Sequence, residues 1–172
     1  MKTRENKRSP VAAICSALGT ALLIILILAC IPFTVPKILG YQAYTVISGS
    51  MEPEIPTGSL VYIKATEPHE IQLKDVIAYY GGRDINAIIT HRVVENSTAK
   101  RQFITKGDAN RTKDMNPVAY SNVIGRVELT IPKLGVIAQV LTSFAGKVAC
   151  VCMIGAALLL HWLAALLDRC RD

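Results

Sequence analysis

Between Pro32 and Lys147 the chain contains no cysteine. All five of its cysteines, Cys15, Cys30, Cys150, Cys152 and Cys170, lie in or beside two long apolar runs. The middle of the chain therefore has no internal disulfide and no thiolate metal site, and a reactive thiol is excluded as its nucleophile. Cys150 and Cys152 lack the further ligands that a metal site would need, so they read as small residues filling an apolar helix. Aromatic residues make up only 6% of the sequence, with a single tryptophan, Trp162. Histidine is scarcer still, at three residues, His69, His91 and His161. Repeats and low-complexity tracts are lacking. A nucleic-acid partner is not expected, because much of the net charge of +6 sits in one short tail.

What the chain has in excess is apolar sequence: 51% of residues are hydrophobic and the mean hydropathy is +0.36. The excess is concentrated. Val11 to Ile31 runs 21 residues without a charge, and Val148 to Leu167 runs 20 residues interrupted only by His161. At about 1.5 Å per helical residue, either crosses a hydrocarbon core of about 30 Å. The first run is too long for the apolar part of a cleaved signal sequence and no A-x-A site follows it. Ile27 to Cys30, "ILAC", only loosely matches a lipoprotein-processing site, and a membrane span would make a lipid anchor redundant. Lys2, Arg4, Lys7 and Arg8 precede the first span; Arg169 and Arg171 follow the second. Basic flanks mark the cytoplasmic side, and the N-terminal tail suits anionic lipid headgroups. The expected organisation is a cytoplasmic tail over 1–10, spans over 11–31 and 148–167, an extracytoplasmic domain over 32–147 and a second cytoplasmic tail over 168–172.

The middle segment holds 13 Lys and Arg against 10 Asp and Glu. It reads as short β-branched runs divided by Gly, Pro and Asn. Strands are expected over Tyr44–Ser48, Leu60–Ala65, Val76–Tyr80, Ala87–Glu95, Arg101–Lys106 and Val123–Ile131. Hairpin turns fall at "YYGGRD", Tyr79–Asp84, and "ENSTAK", Glu95–Lys100. Lys106–Pro117 is a long polar loop, and Ile131–Gly146 is an amphipathic lead into the second span. The fold class is a mainly antiparallel β domain flanked by two transmembrane α-helices.

Few residues in this domain can carry chemistry. His69 sits among acids in a turn and reads as a surface residue. His91 is different: the period of two in "AIITHRVVE" puts Ala87, Ile89, His91 and Val93 on one apolar face. A buried imidazole needs a partner. It is either a satisfied structural histidine or a general base, since imidazole titrates near the working pH. A base requires a hydroxyl nucleophile here. Ser48 and Ser50 flank Gly49 at a strand end, where the backbone can approach a substrate carbonyl; a polar turn is the alternative. Asn96-Ser97-Thr98 and Asn110-Arg111-Thr112 are formal glycosylation sequons of low specificity. Asp108 and Asp114, both in the polar loop, could each orient an imidazole. His161 fits helix packing or an interfacial role better than a proton relay.

"SGSMEP" after a membrane span, then "THRV", then "KGDANRTKD", in this order, resembles the type I signal peptidases. The likeness extends to "VIGRV" near Arg126. Histidine in the second box, where many bacterial members have lysine, resembles the endoplasmic-reticulum, archaeal and SipW-like branch. "TGS" at Thr57–Ser59 departs from the Gly-Asp of many relatives. The resemblance implies a membrane-bound serine endopeptidase that removes signal peptides after small residues, with Ser50 as nucleophile and His91 as base. Asp114 is then the third member and Asp108 an essential support. The Ser48 hydroxyl and the Ser50 N–H would receive the oxyanion. Pockets for small side chains are expected around Ile47, Met51, Leu60 and Ile89, with Met51 and Ile55 as candidates for touching lipid. No cofactor or metal is implied. The expected partners are precursor proteins and the lipid bilayer, and a complex with other membrane subunits stays open. The alternative is a membrane-tethered binding or assembly module without catalysis, on which Ser50 and His91 are structural. A self-cleaving, repressor-type relative is disfavoured by the two spans and by the lack of a DNA-binding element.

Overall fold

The computed structural model describes residues 9–81 and 87–169. The basic tail before Ser9, the end from Cys170 and the Gly82–Asp84 part of the expected "YYGGRD" turn lie outside the described residues. The chain divides into two compact units, a helix pair and a β domain over Phe33–Gln139.

Helix α1 (Pro10–Ile38) and helix α3 (Phe144–Arg169) are both long and apolar enough to cross a membrane. Each is longer than the span read from the sequence. Helix α1 continues through Pro32 and Pro36 to Ile38 and stops where Gly40 takes a φ of 84°. That left-handed conformation suits a glycine closing a helix. Most side chains of the pair are exposed, as lipid-facing residues must be, and the buried ones are small: Ala12 and Gly19 on α1, Gly146, Ala157 and Ala164 on α3. Small residues let helix backbones approach closely. A Cβ added to Gly19 would stand 3.0 Å from both Ala157 O and the His161 ring. His161 thus packs against α1. The Ser9 N–H donates to Asp168 at 3.1 Å, joining the pair at one end.

The β domain is a curled antiparallel sheet of seven strands in the order β1-β2-β7-β3-β4-β5-β6. The strands are β1 (Tyr41–Thr45), β2 (Leu60–Lys64), β3 (Val76–Tyr80), β4 (Ile88–Ser97), β5 (Gln102–Lys106), β6 (Val118–Ala119) and β7 (Val123–Ile131). Five match the expected runs closely. β1 lies earlier than expected, because Tyr41–Thr45 pairs in register with Lys64–Leu60. Ser48 and Ser50 consequently sit in the connection after the strand rather than on it. β6, only two residues long, was not foreseen.

Both faces of the sheet are covered. On one, Ile71, Ile77, Tyr79, Val93, Phe103 and Val118 form a core. On the other, Val61, Ile63 and Ala78 pack with Met51 and Ile55. β2 is buried on both faces, so its residues split by parity: Val61 and Ile63 join this second core, while Leu60 and Tyr62 turn to Ala138 of helix α2 (Leu134–Thr142). Met51 and Ile55, expected to touch lipid, are 2% and 3% exposed and belong to the core.

Candidate active site

Ser50 belongs to the connection from Val46 to Ser59. Its base is closed by Val46 N–H to Ser59 O at 2.9 Å and Gly58 N–H to Val46 O at 2.8 Å. A turn from Gly49 to Glu52 and an Ile55 N–H bond to Met51 O shape the interior. Met51, anchored in the core, fixes the backbone next to Ser50. Ser48 is exposed, and its Oγ lies 3.5 Å from Ser50 Oγ.

His91 lies in the middle of β4 opposite Ile77 of β3 and is 8% exposed. The Tyr79 ring meets it edge-on, with centroids 6.4 Å apart. Its Nδ1 is 2.6 Å from Asp114 Oδ2. An ionised carboxylate only accepts, so Nδ1 is the donor, and in a neutral ring Nε2 is the nitrogen left with the lone pair. The same Asp114 oxygen accepts Thr105 Oγ1 at 2.6 Å and Tyr79 OH at 3.5 Å. Burial pushes the Tyr79 phenol up to about 12, with the Thr105 hydrogen bond lowering it and the Asp114 charge raising it.

Asp108 faces elsewhere. It takes two bonds from Arg92, at 2.8 Å to Nε and 2.5 Å to Nη2, while Arg92 Nη1 reaches Lys74 O at 2.9 Å. A forked guanidinium–carboxylate pair fixes geometry as well as charge, and it raises the Arg92 pKa. Asp108 thereby holds the loop that carries Ala109, whose N–H donates to Ser50 O at 3.0 Å.

Gly107 is where these parts meet. A Cβ there would stand 2.6 Å from Ser50 O, 2.7 Å from Asn110 Nδ2 and 3.0 Å from His91 Nε2. Only a residue without a side chain lets the Ser50 backbone and the free imidazole nitrogen converge on one loop.

Beside Ser50 runs a groove of 500 Å³, lined by Ile47, Ser48, Met51, Val61, Ile88 and Ile89 among others. Of the residues named for pockets in the sequence, Ile47, Met51 and Ile89 line this groove. Leu60 does not: its parity turns it to the far face of β2, and Val61 takes that place. A cavity of 230 Å³ adjoins His91 and Asp114. The larger depression, 890 Å³ around Lys100, Arg101 and Tyr120, includes neither Ser50 nor His91. His69 is exposed. In the Asn96 sequon, Asn96 Oδ1 is occupied by the Tyr120 hydroxyl. Arg92, Thr105 and Tyr79 went unnoticed in the sequence. The alternation of Phe103 with Thr105 in β5 was the available signal for Thr105.

Fold and site together define a class: a curled antiparallel β domain with two membrane-length helices, carrying a serine, a paired histidine and carboxylate, and an apolar groove. Comparison with known proteins narrows it. The chain is 43% identical over 91 residues to Signal peptidase I W of Bacillus subtilis, covering 51% of this chain and 47% of that protein. It is 31% identical over 127 residues to the signal peptidase complex catalytic subunit SEC11C of Rattus norvegicus, covering 67% and 65%. The SEC11 subunit of Scheffersomyces stipitis is 32% identical over 109 residues, covering 57% and 64%. The chain thus spans about half to just under two thirds of the length of these curated relatives. No family model matches. The chain is similar to the type I signal peptidases of the endoplasmic-reticulum and SipW-like branch.

Proposed function

We propose that the chain is a membrane-bound serine endopeptidase that removes N-terminal signal peptides from secreted precursors. The observation that supports this reading is the meeting at Gly107 of the Ser50 main-chain carbonyl and His91 Nε2, with the other ring nitrogen held by Asp114. In the proposed reaction Ser50 Oγ attacks the scissile carbonyl and its proton passes to His91 Nε2. The C–N bond of the tetrahedral intermediate breaks as His91 returns that proton to the leaving amine. Water, deprotonated by His91, then releases the acyl group and restores Ser50. Asp114 holds the tautomer and offsets the charge of the imidazolium. The Ser50 N–H and the Ser48 hydroxyl are the proposed oxyanion donors. Asp108 supports the loop through Arg92 and does not touch the imidazole.

The apolar groove beside Ser50 suits small, uncharged side chains before the cut. The proposed orientation places the β domain outside the cytoplasm and both termini inside, with signal-bearing precursors and the bilayer as partners.

Purified protein in detergent, incubated with a precursor bearing an A-x-A site, tests the reading. Cleavage is expected in the wild type and is expected to vanish in Ser50→Ala and His91→Ala with the fold retained. Cleavage persisting in purified Ser50→Ala removes Ser50 from its role. Ser48→Ala should lower kcat about 100- to 1,000-fold with little change in substrate binding. An unchanged kcat removes the oxyanion assignment.

A further inference from the structure

Asp114 Oδ2 is a crowded atom. Three polar atoms surround it: His91 Nδ1 and Thr105 Oγ1 at 2.6 Å each, and Tyr79 OH at 3.5 Å. Tyr79 OH is also 3.3 Å from Thr105 Oγ1. A hydroxyl has one proton, and the carboxylate can only accept. The Thr105 proton therefore goes to Asp114, which leaves Thr105 Oγ1 to accept from Tyr79. Thr105 is fully buried and Tyr79 is 7% exposed, so water does not replace these bonds. Thr105 also holds the main chain of the same residue, its carbonyl accepting the Asp114 N–H at 2.9 Å. The reaction as written uses neither Thr105 nor Tyr79.

We propose that Thr105, backed by Tyr79, is a positioning residue that sets the basicity of His91 through Asp114. The inference rests on the reading of His91 as base and Asp114 as its orienter. Each hydrogen bond donated to a carboxylate stabilises its charge and lowers its proton affinity. A carboxylate already engaged by Thr105 pulls less strongly on the imidazolium. With that donor gone, the same oxygen holds the His91 proton harder, and the imidazole gives it up at higher pH. Thr105 thus keeps His91 unprotonated, and able to act as a base, further down the pH scale.

The charged surroundings leave this linkage direct. From β3, Tyr79 meets the His91 ring and Tyr80 lines the adjoining cavity. Burial keeps Tyr79 neutral until about pH 12. From the loop, Asp114 contacts the ring, while Asp108 is engaged by Arg92 and Lys113 by Glu95.

The test is an NMR titration of the His91 imidazole in the full-length chain in detergent micelles, its signal assigned by its loss in His91→Gln. Thr105→Val keeps the shape and removes the donor. Its midpoint is expected to rise by about half to one pH unit. Thr105→Ser keeps the hydroxyl and should restore the wild-type midpoint. Tyr79→Phe should move it in the same direction by less. The acid limb of kcat/KM should follow the same shifts, whereas a merely structural role would lower activity at every pH and leave the limb in place. A folded Thr105→Val protein with an unchanged or lowered midpoint overturns the proposal. If the valine variant does not fold, Tyr79→Phe decides: an upward shift supports the linkage and an unchanged midpoint overturns it. Should the midpoints shift as expected while the wild type cleaves no precursor, the linkage stands and the peptidase reading falls.

Discussion

Replacing Gly107 with alanine is the sharpest probe of how the site is assembled. Its backbone is not in the left-handed region, so alanine adds no backbone strain and acts through space alone. The added methyl would stand 2.6 Å from Ser50 O, a main-chain atom held by the Ala109 N–H, and 3.0 Å from His91 Nε2. Ordinary contact begins near 3.4 Å, so the loop and the Ser50 backbone must separate by about 0.8 Å. Overpacking of this kind costs about 1–3 kcal/mol, within what a folded domain tolerates. A displacement of about 1 Å between reacting groups costs about 100-fold in rate. Gly107→Ala should therefore remain folded, melt somewhat earlier and cleave precursor about 100-fold more slowly. The assay is steady-state cleavage of an A-x-A precursor, read beside thermal melting in the same detergent. Gly155→Ala, whose methyl would meet nothing within 4 Å, is the control and should match the wild type. Cleavage by Gly107→Ala within about threefold of wild type would refute the claim that this glycine sets the spacing of the Ser50 backbone and His91.

The two aspartates should separate in kind. Asp114→Asn is expected to lower kcat about 10⁴-fold, since an amide no longer enforces the tautomer, with modest loss of stability. Asp108→Asn should instead destabilise the protein by about 1–3 kcal/mol by weakening the Arg92 clamp, with the smaller loss of kcat; the reverse pattern would exchange their roles. Leu60→Ala should cost about 2–5 kcal/mol in melting experiments and leave substrate preference alone, whereas Val61→Ala should admit larger residues before the cut in a panel of precursors. Tyr79 gives an alkaline signature. Its folded pKa is raised from 10.0 to about 12, so its contribution is complete below pH 10 and is lost as pH rises through about 12. Tyr79→Phe should flatten the fall in melting temperature across that window.

Much of this molecule could be read from its sequence because the relevant signals are periodic. The two spans stand out as uncharged runs, and the face carrying Ile89, His91 and Val93 follows from alternation along β4. Where periodicity fails, so did the reading. A loop has no repeat, so nothing local told Asp108 from Asp114; only folding turns one to Arg92 and the other to His91. Leu60 and Val61 differ by one position, and a strand buried on both faces gives no polar residue to fix its parity. β1 was displaced because the β-branched Val46-Ile47 extends the pattern beyond the true strand, while Tyr41-Gln42-Ala43 is ordered by pairing with β2. The contacts of Thr105 join residues far apart in the chain, and these come together only in the folded domain.

The loop after β5 is fastened twice, at Asp108 by Arg92 and at Asp114 by the Thr105 carbonyl and the His91 ring. It therefore behaves as a ruler. Arg111 and Thr112 are exposed between the fixed points, so exchanging their side chains should leave both fastenings in place. Their number is not free. One residue added or removed would leave the first fastening in place and carry the second carboxylate past the imidazole, so the segment's length matters more than its side chains.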